Sequence, residues 1–78
     1  MKDFLLYLAR AIVDSPNDVS VNEVTSPEGY ATLELTVAPS DMGKIIGKSG
    51  RIIKAVRDLV RILAIKQNTR VNVTLTEV

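Results

Sequence analysis

The residues with the most to say about chemistry lie in one short run, Gly47-Lys48-Ser49-Gly50-Arg51, with Lys44 before it and Lys54 after it. Two glycines three positions apart let a backbone turn tightly and come close to a ligand without a Cβ in the way. A helix that opens after Gly50 presents free N–H groups and the positive end of its dipole, which together suit an anion. Lys48 and Arg51 set mobile positive charge beside that end, Lys54 follows one turn later, and Ser49 offers a hydroxyl. The chemistry implied is the binding of phosphate. The plainer alternative is a tight turn between two helices in which the glycines serve as caps. Basic residues at both 48 and 51 weigh against it.

Phosphate binding here does not imply nucleotide hydrolysis. A P-loop needs four residues between its first glycine and Gly-Lys-Ser/Thr, whereas three separate Gly43 from Gly47-Lys48-Ser49. A P-loop also follows directly on a strand, and a short helix intervenes here. Other enzyme chemistry is poorly supplied. The chain has no histidine and no cysteine, so the commonest general base, the commonest metal ligand and any thiolate are absent. Asp41 and Asp58 are parted by the whole glycine run and part of a helix. No catalytic residue, metal ligand or cofactor is expected.

The net charge of +1 hides a strong asymmetry. Between residues 41 and 70, eight lysines and arginines face only Asp41 and Asp58, a local excess of +6. Elsewhere Lys2 and Arg10 face seven carboxylates, a deficit of −5. A basic segment of this kind attracts polyanions even in a nearly neutral chain, although a basic helix is often simply a solvated face.

The loop has to be held by the elements around it. Seventy-eight residues, 46% of them apolar, allow one small domain spanning 1–78 with a compact core. Residues 3–14 read as an amphipathic helix with Phe4, Leu5, Leu8, Ala11 and Ile12 on its apolar face. Its apolar run, residues 4–9, is bracketed by Asp3 and Arg10 and is too short to cross a membrane. With no cleavage site after it, a cytoplasmic location and no membrane partner are expected. Ser15-Pro16-Asn17-Asp18 breaks the helix, and Val19-Ser20-Val21 alternates like a short strand. After the turn at Ser26-Pro27-Glu28-Gly29, residues 30–38 form the clearest strand, with Leu33, Leu35 and Val37 on one face. Ser40 is placed to cap a short helix over 42–46. A long helix is expected from Arg51 to about Gln67, and a last strand from Arg70 to Val78. The order is α-β-β-α-α-β, an α+β domain.

On the long helix, Ile52, Val56, Leu59, Val60 and Leu63 cluster at about 100° per residue, with Ile53 and Ala64 at the margin. That stripe belongs against the sheet. Ile62 and Ile65 lie on the far side, close to Asp58 and Arg61. Two isoleucines rimmed by opposite charges suit a two-fold contact between copies of the chain. Packing beneath the N-terminal helix is the alternative for them.

The run Ile45-Ile46-Gly47-Lys48-Ser49-Gly50-Arg51-Ile52-Ile53 resembles the I-I-G-x-x-G-x-x-I core of KH domains. The element order is similar to the type II arrangement of bacterial KH proteins. Val13-Asp14-Ser15-Pro16 resembles the turn after the first helix in the YlqC family of small stand-alone KH proteins. The resemblance covers the whole chain. It implies a three-stranded sheet with helices on one face and a glycine loop that clamps about four nucleotides of single-stranded RNA. By motif match, Gly47, Lys48, Ser49 and Gly50 form the clamp, and Ile45 and Ile46 help floor a groove. Lys44, Arg51 and Lys54 meet phosphates, and the strand ending at Ala38 gives the other wall. The family further implies a homodimer, placed here at Asp58, Arg61, Ile62 and Ile65. It also implies RNA-chaperone activity and pairing with a larger KhpB/Jag-type KH protein, a pair associated with cell length and peptidoglycan synthesis.

Overall fold

The computed structural model describes residues 1–77. Helix α1 (Lys2–Ile12) leads into strands β1 (Ser20–Thr25) and β2 (Tyr30–Val37), helices α2 (Met42–Ile46) and α3 (Arg51–Lys66), and strand β3 (Arg70–Glu77). This is the α-β-β-α-α-β order expected of the sequence. Val78, expected to close the last strand, lies outside the described residues.

The strand order is β1-β2-β3, with β1 antiparallel and β3 parallel to the central β2. A parallel pair needs a crossover, because a hairpin cannot reverse the chain twice. Here α2, the glycine loop and α3 make that crossover. On β2 the alternation predicted from sequence holds: Leu33, Leu35 and Val37 are all buried. Across the parallel ladder Leu33 faces Val73 and Leu35 faces Leu75, so the inner faces of both strands are aliphatic. Leu5 and Ala9 of α1, Ile45 of α2 and Val56, Val60 and Ala64 of α3 close over them in one core. The outer sheet face is polar, with Asn22 donating to Glu34 at 3.0 Å and the hydroxyls of Thr36 and Thr76 3.2 Å apart.

Several local expectations are corrected. Helix α1 stops at Ile12, and Val13 turns extended with its side chain buried. Ala9 rather than Ala11 faces the core. Strand β1 starts at Ser20 and runs on to Thr25, because pairing with β2 continues to Thr25–Ala31 through side chains that are exposed. The face of α3 against the sheet is centred on Ile53, Val56, Val60 and Ala64, while Ile52 and Leu59 are 37% and 46% exposed. The helix is aliphatic on more than one side, so its periodicity alone does not say which side meets the sheet.

Ser40 is not a helix cap. It lies inside a 3₁₀ turn, Pro39–Asp41, and α2 begins after Asp41 without a side-chain cap. Asp41 is 1% exposed. Its carboxylate accepts the backbone N–H of Asp14 at 3.2 Å and of Ser15 at 3.0 Å. A buried carboxylate must be hydrogen-bonded to be tolerated, and these bonds tie the end of α1 to the start of α2.

Candidate nucleic-acid interface

The glycine loop is built from both sides. Ile45 anchors α2 in the core with no exposed surface. Gly47 then has φ 75° and ψ 177°, a combination that side chains essentially do not adopt. A Cβ on Gly47 would lie 2.5 Å from Cγ1 of Ile52. The close approach that requires this glycine is therefore to the chain's own helix. Lys48–Gly50 form a single 3₁₀ turn, with Ser49 at φ 57° and Gly50 at φ 73°. Nothing lies within 4 Å of where a Gly50 Cβ would stand, so at this glycine the backbone is open.

The free helix amides expected at this end are partly used. The N–H of Gly50 donates to the carbonyl of Gly47 at 3.2 Å, and that of Arg51 to Lys48. Cation side chains thus carry more of the site's positive character than the sequence implied.

Those cations fall into two groups. Lys48 and Arg51 are exposed and make no ion pair among the described residues. Lys44 is bound to Asp14, whose hydrogen bond and charge hold the ammonium pKa above its ordinary value. Lys54 donates to Asp58 at 2.8 Å, and Arg61 stands 3.8 Å from the other carboxylate oxygen. The hydrogen bond from Lys54 lowers the Asp58 pKa, against a smaller opposing effect of burial. Lys44 and Lys54 must each leave a carboxylate to meet a phosphate.

Two groove expectations change. Ile45 is wholly buried and supports the loop from beneath, leaving the half-buried Ile46 nearer the surface. The inner side chains of β2 are also buried, and Ala38 is 7% exposed, so that strand offers little wall. The edge strand β3 runs beside the basic side of α3. Arg57 marks this, its Nε donating to the Val73 carbonyl at 3.1 Å.

Ile62 and Ile65 are 60% and 67% exposed, which removes the alternative of packing beneath α1. Arg61 is exposed beside them and Asp58 is half-buried. Sequence reasoning missed that Ile52 and Leu59 extend this aliphatic exposure along α3. It also missed that Arg70 donates to the Tyr30 hydroxyl at 2.7 Å. The parallel register sets those residues opposite each other, and forty positions of sequence carry no sign of it. No helix among the described residues is long and apolar enough to cross a membrane.

Comparison with known proteins matches residues 2–75 to the family model described as KhpA/KhpB, KH domain. The RNA-binding protein KhpA of Clostridium perfringens is 51% identical, over 96% of this chain and 99% of that protein. The RNA-binding protein KhpA of Clostridium acetobutylicum is 49% identical over the same shares. That of Chlamydia caviae is 47% identical, over 99% of this chain and 97% of its own. Among solved structures, a variant of Aquifex aeolicus Era crystallised with GDP and aluminium fluoride superposes with a TM-score of 0.63 at 18% identity. That match covers 97% of this chain and 29% of the Era chain, and it speaks to fold alone.

Proposed function

Because the chain belongs to the KhpA/KhpB KH-domain family, we propose that it binds single-stranded RNA, with residues 47–50 clamping the backbone. The observation that carries this reading is the open turn at Lys48–Gly50, with Lys48 within it and Arg51 after it as exposed cations in no ion pair among the described residues. Phosphates pass along the turn, met by Lys48 and Arg51, with the Ser49 hydroxyl as a further donor. Lys54 and Lys44 join when a phosphate competes with Asp58 and Asp14. Bases lie over the half-buried Ile46 toward β3. Clamping the backbone over aliphatic side chains gives modest affinity and little base readout, which suits an RNA chaperone or post-transcriptional regulator.

The working unit is a cytoplasmic homodimer through Asp58, Arg61, Ile62 and Ile65, whose exposed aliphatic face gains from burial. Two grooves on one RNA then raise avidity. Exchange of one copy for a KhpB/Jag-type KH protein gives a mixed dimer, and through it a link to cell length and peptidoglycan synthesis. The test is binding of a short single-stranded RNA pool at fixed salt to wild type and to the Lys48→Asp/Ser49→Asp double variant. The variant keeps its fold and loses at least about tenfold in affinity; equal binding by a folded variant overturns the clamp.

A second reading has one observation in its favour. The space that Gly47 leaves is filled by Ile52, as it would be in a dimerising protein-interaction module whose glycine loop is structural. In that case wild type and variant alike fail to bind RNA.

A further inference from the structure

Lys54 is held by Asp58 in the single chain, and the exposed side of α3 supplies a way to release it. Ala55, Leu59, Ile62 and Lys66 recur at spacings of four, three and four, with Asp58 and Ile65 beside them. Such spacing sets all six on one side of a helix. All are exposed except the half-buried Asp58. Lys66 makes no ion pair among the described residues.

Charge decides how a second copy can lie on this side. Parallel helices related by a two-fold axis would set Asp58 beside Asp58 and Lys66 beside Lys66, and like charges repel. Antiparallel helices centred on Ile62 do the opposite. Asp58 and Lys66 each lie four residues from that centre, so Asp58 of one copy meets Lys66 of the other, twice. Leu59 and Ile65, each three residues from the centre, meet in the same way, and Ile62 meets itself. Moving the centre half a residue sets Asp58 opposite Ile65 or Gln67 and loses the match.

This register changes what Asp58 holds. The Lys54–Asp58 pair is exposed, at 76% and 43% of the two side chains, and an exposed pair is weakly held. Asp58 and Lys66 of the second copy are flanked by Leu59, Ile62 and Ile65 of both chains, which exclude water and strengthen the attraction. A carboxylate drawn to that ammonium loosens its hold on Lys54, and the arriving charge also repels Lys54. Lys54 lies one turn beyond Arg51 on the helix that opens at the glycine loop.

We propose that self-association through α3 completes the RNA site: Asp58 exchanges Lys54 for Lys66 of the second copy, and Lys54 becomes free for phosphate. The inference rests on the RNA-binding and homodimer readings above. By linkage, RNA strengthens the dimer by the same factor as the dimer strengthens RNA binding.

The experiment uses an oligoribonucleotide of about four nucleotides, which fills one clamp and so excludes avidity between two grooves. Its affinity is measured for wild type above the dimerisation midpoint and for Ile62→Gln, a neutral change expected to sediment as a folded monomer. The wild-type dimer binds about two- to fivefold more tightly, the gain from releasing one exposed ion pair. Adding Asp58→Asn to Ile62→Gln recovers that factor while the protein stays monomeric. Lys66→Glu weakens the dimer, and Asp58→Lys combined with Lys66→Glu restores it. Equal short-strand affinity of dimer and monomer overturns the exchange and leaves the RNA reading standing. Failure of Asp58→Asn to rescue the monomer does the same. A Lys66→Glu dimer as tight as wild type overturns the register, and a dimeric Ile62→Gln overturns the contact itself. If wild type binds no RNA, the exchange falls together with the RNA reading.

Discussion

Helix α3 carries two sets of aliphatic side chains of nearly the same kind, and the fold treats them differently. Ile53, Val56, Val60 and Ala64 are buried against the sheet, while Ile52, Leu59, Ile62 and Ile65 are exposed. Hydrophobicity does not separate the sets. What separates them is which side of the helix meets the sheet, and that is fixed from outside the helix. Ile45 anchors α2, and with it the loop that opens α3, in the core, and Arg57 is held to the Val73 carbonyl of β3. The inner set is committed to the fold. The outer set stays exposed, and Ile52 within it adjoins the glycine loop.

Placing the same charge on each side makes the largest difference. Val60→Asp buries an unpaired carboxylate in a fully enclosed site, a cost that a domain this small cannot absorb. It is expected to abolish the cooperative unfolding transition seen by circular dichroism. Ile62→Asp is expected to keep that transition and to elute as a folded monomer in size-exclusion chromatography. A dimeric Ile62→Asp would move the contact elsewhere on the surface.

A smaller effect comes from the two glycines, which set an internal contact against an open one. Gly47→Ala meets a glycine-only backbone region, costing about 1–3 kcal/mol, and also drives a methyl group into Ile52. Gly50→Ala meets left-handed strain of about 1–2 kcal/mol and no clash. Urea unfolding should therefore rank Gly47→Ala as the more destabilised variant. The reverse order would mean that Ile52 yields readily and that the loop is less tightly joined to α3.

The smallest effect sharpens the distinction between free and paired cations. Asp58 has a lowered pKa when folded, so its pairing with Lys54 contributes stability above the unfolded carboxylate pKa. That contribution fades as pH falls through the lower folded value, and exposure keeps it small. Asp58→Asn is expected to flatten this acid limb in thermal melts. It also frees Lys54, steepening the salt dependence of RNA binding by up to about one phosphate contact.

The parts of the molecule governed by local rules were legible in the sequence. The alternation of Leu33, Leu35 and Val37 identifies the central strand because a half-covered sheet demands period two. The glycine run and its cations identify the loop because backbone turning and charge are local properties. What escaped is set by partners distant in sequence. Ser40 and Asp41 are equally good caps by residue type, yet neither caps α2, and Asp41 is the residue that matters because its acceptors serve amides 26 and 27 positions away. Ile45 and Ile46 are identical in type, and the packing of α2 buries one completely and half-exposes the other. Lys54 differs from Arg51 in having Asp58 one turn on. That i,i+4 relation is local and readable in the sequence.

The parallel ladder between β2 and β3 joins residues forty apart at every rung, from Tyr30–Arg70 to Val37–Glu77. During folding, that ladder can close only after the intervening forty-residue loop has paid its closure entropy. The glycine turn lies midway through that loop. Hairpin β1–β2, with a short turn, can form early, while the turn is still part of an open chain. Its left-handed geometry is expected to settle when α3 docks and β3 adds to the sheet, so the shape of the glycine turn is timed with the slow, long-range step of folding.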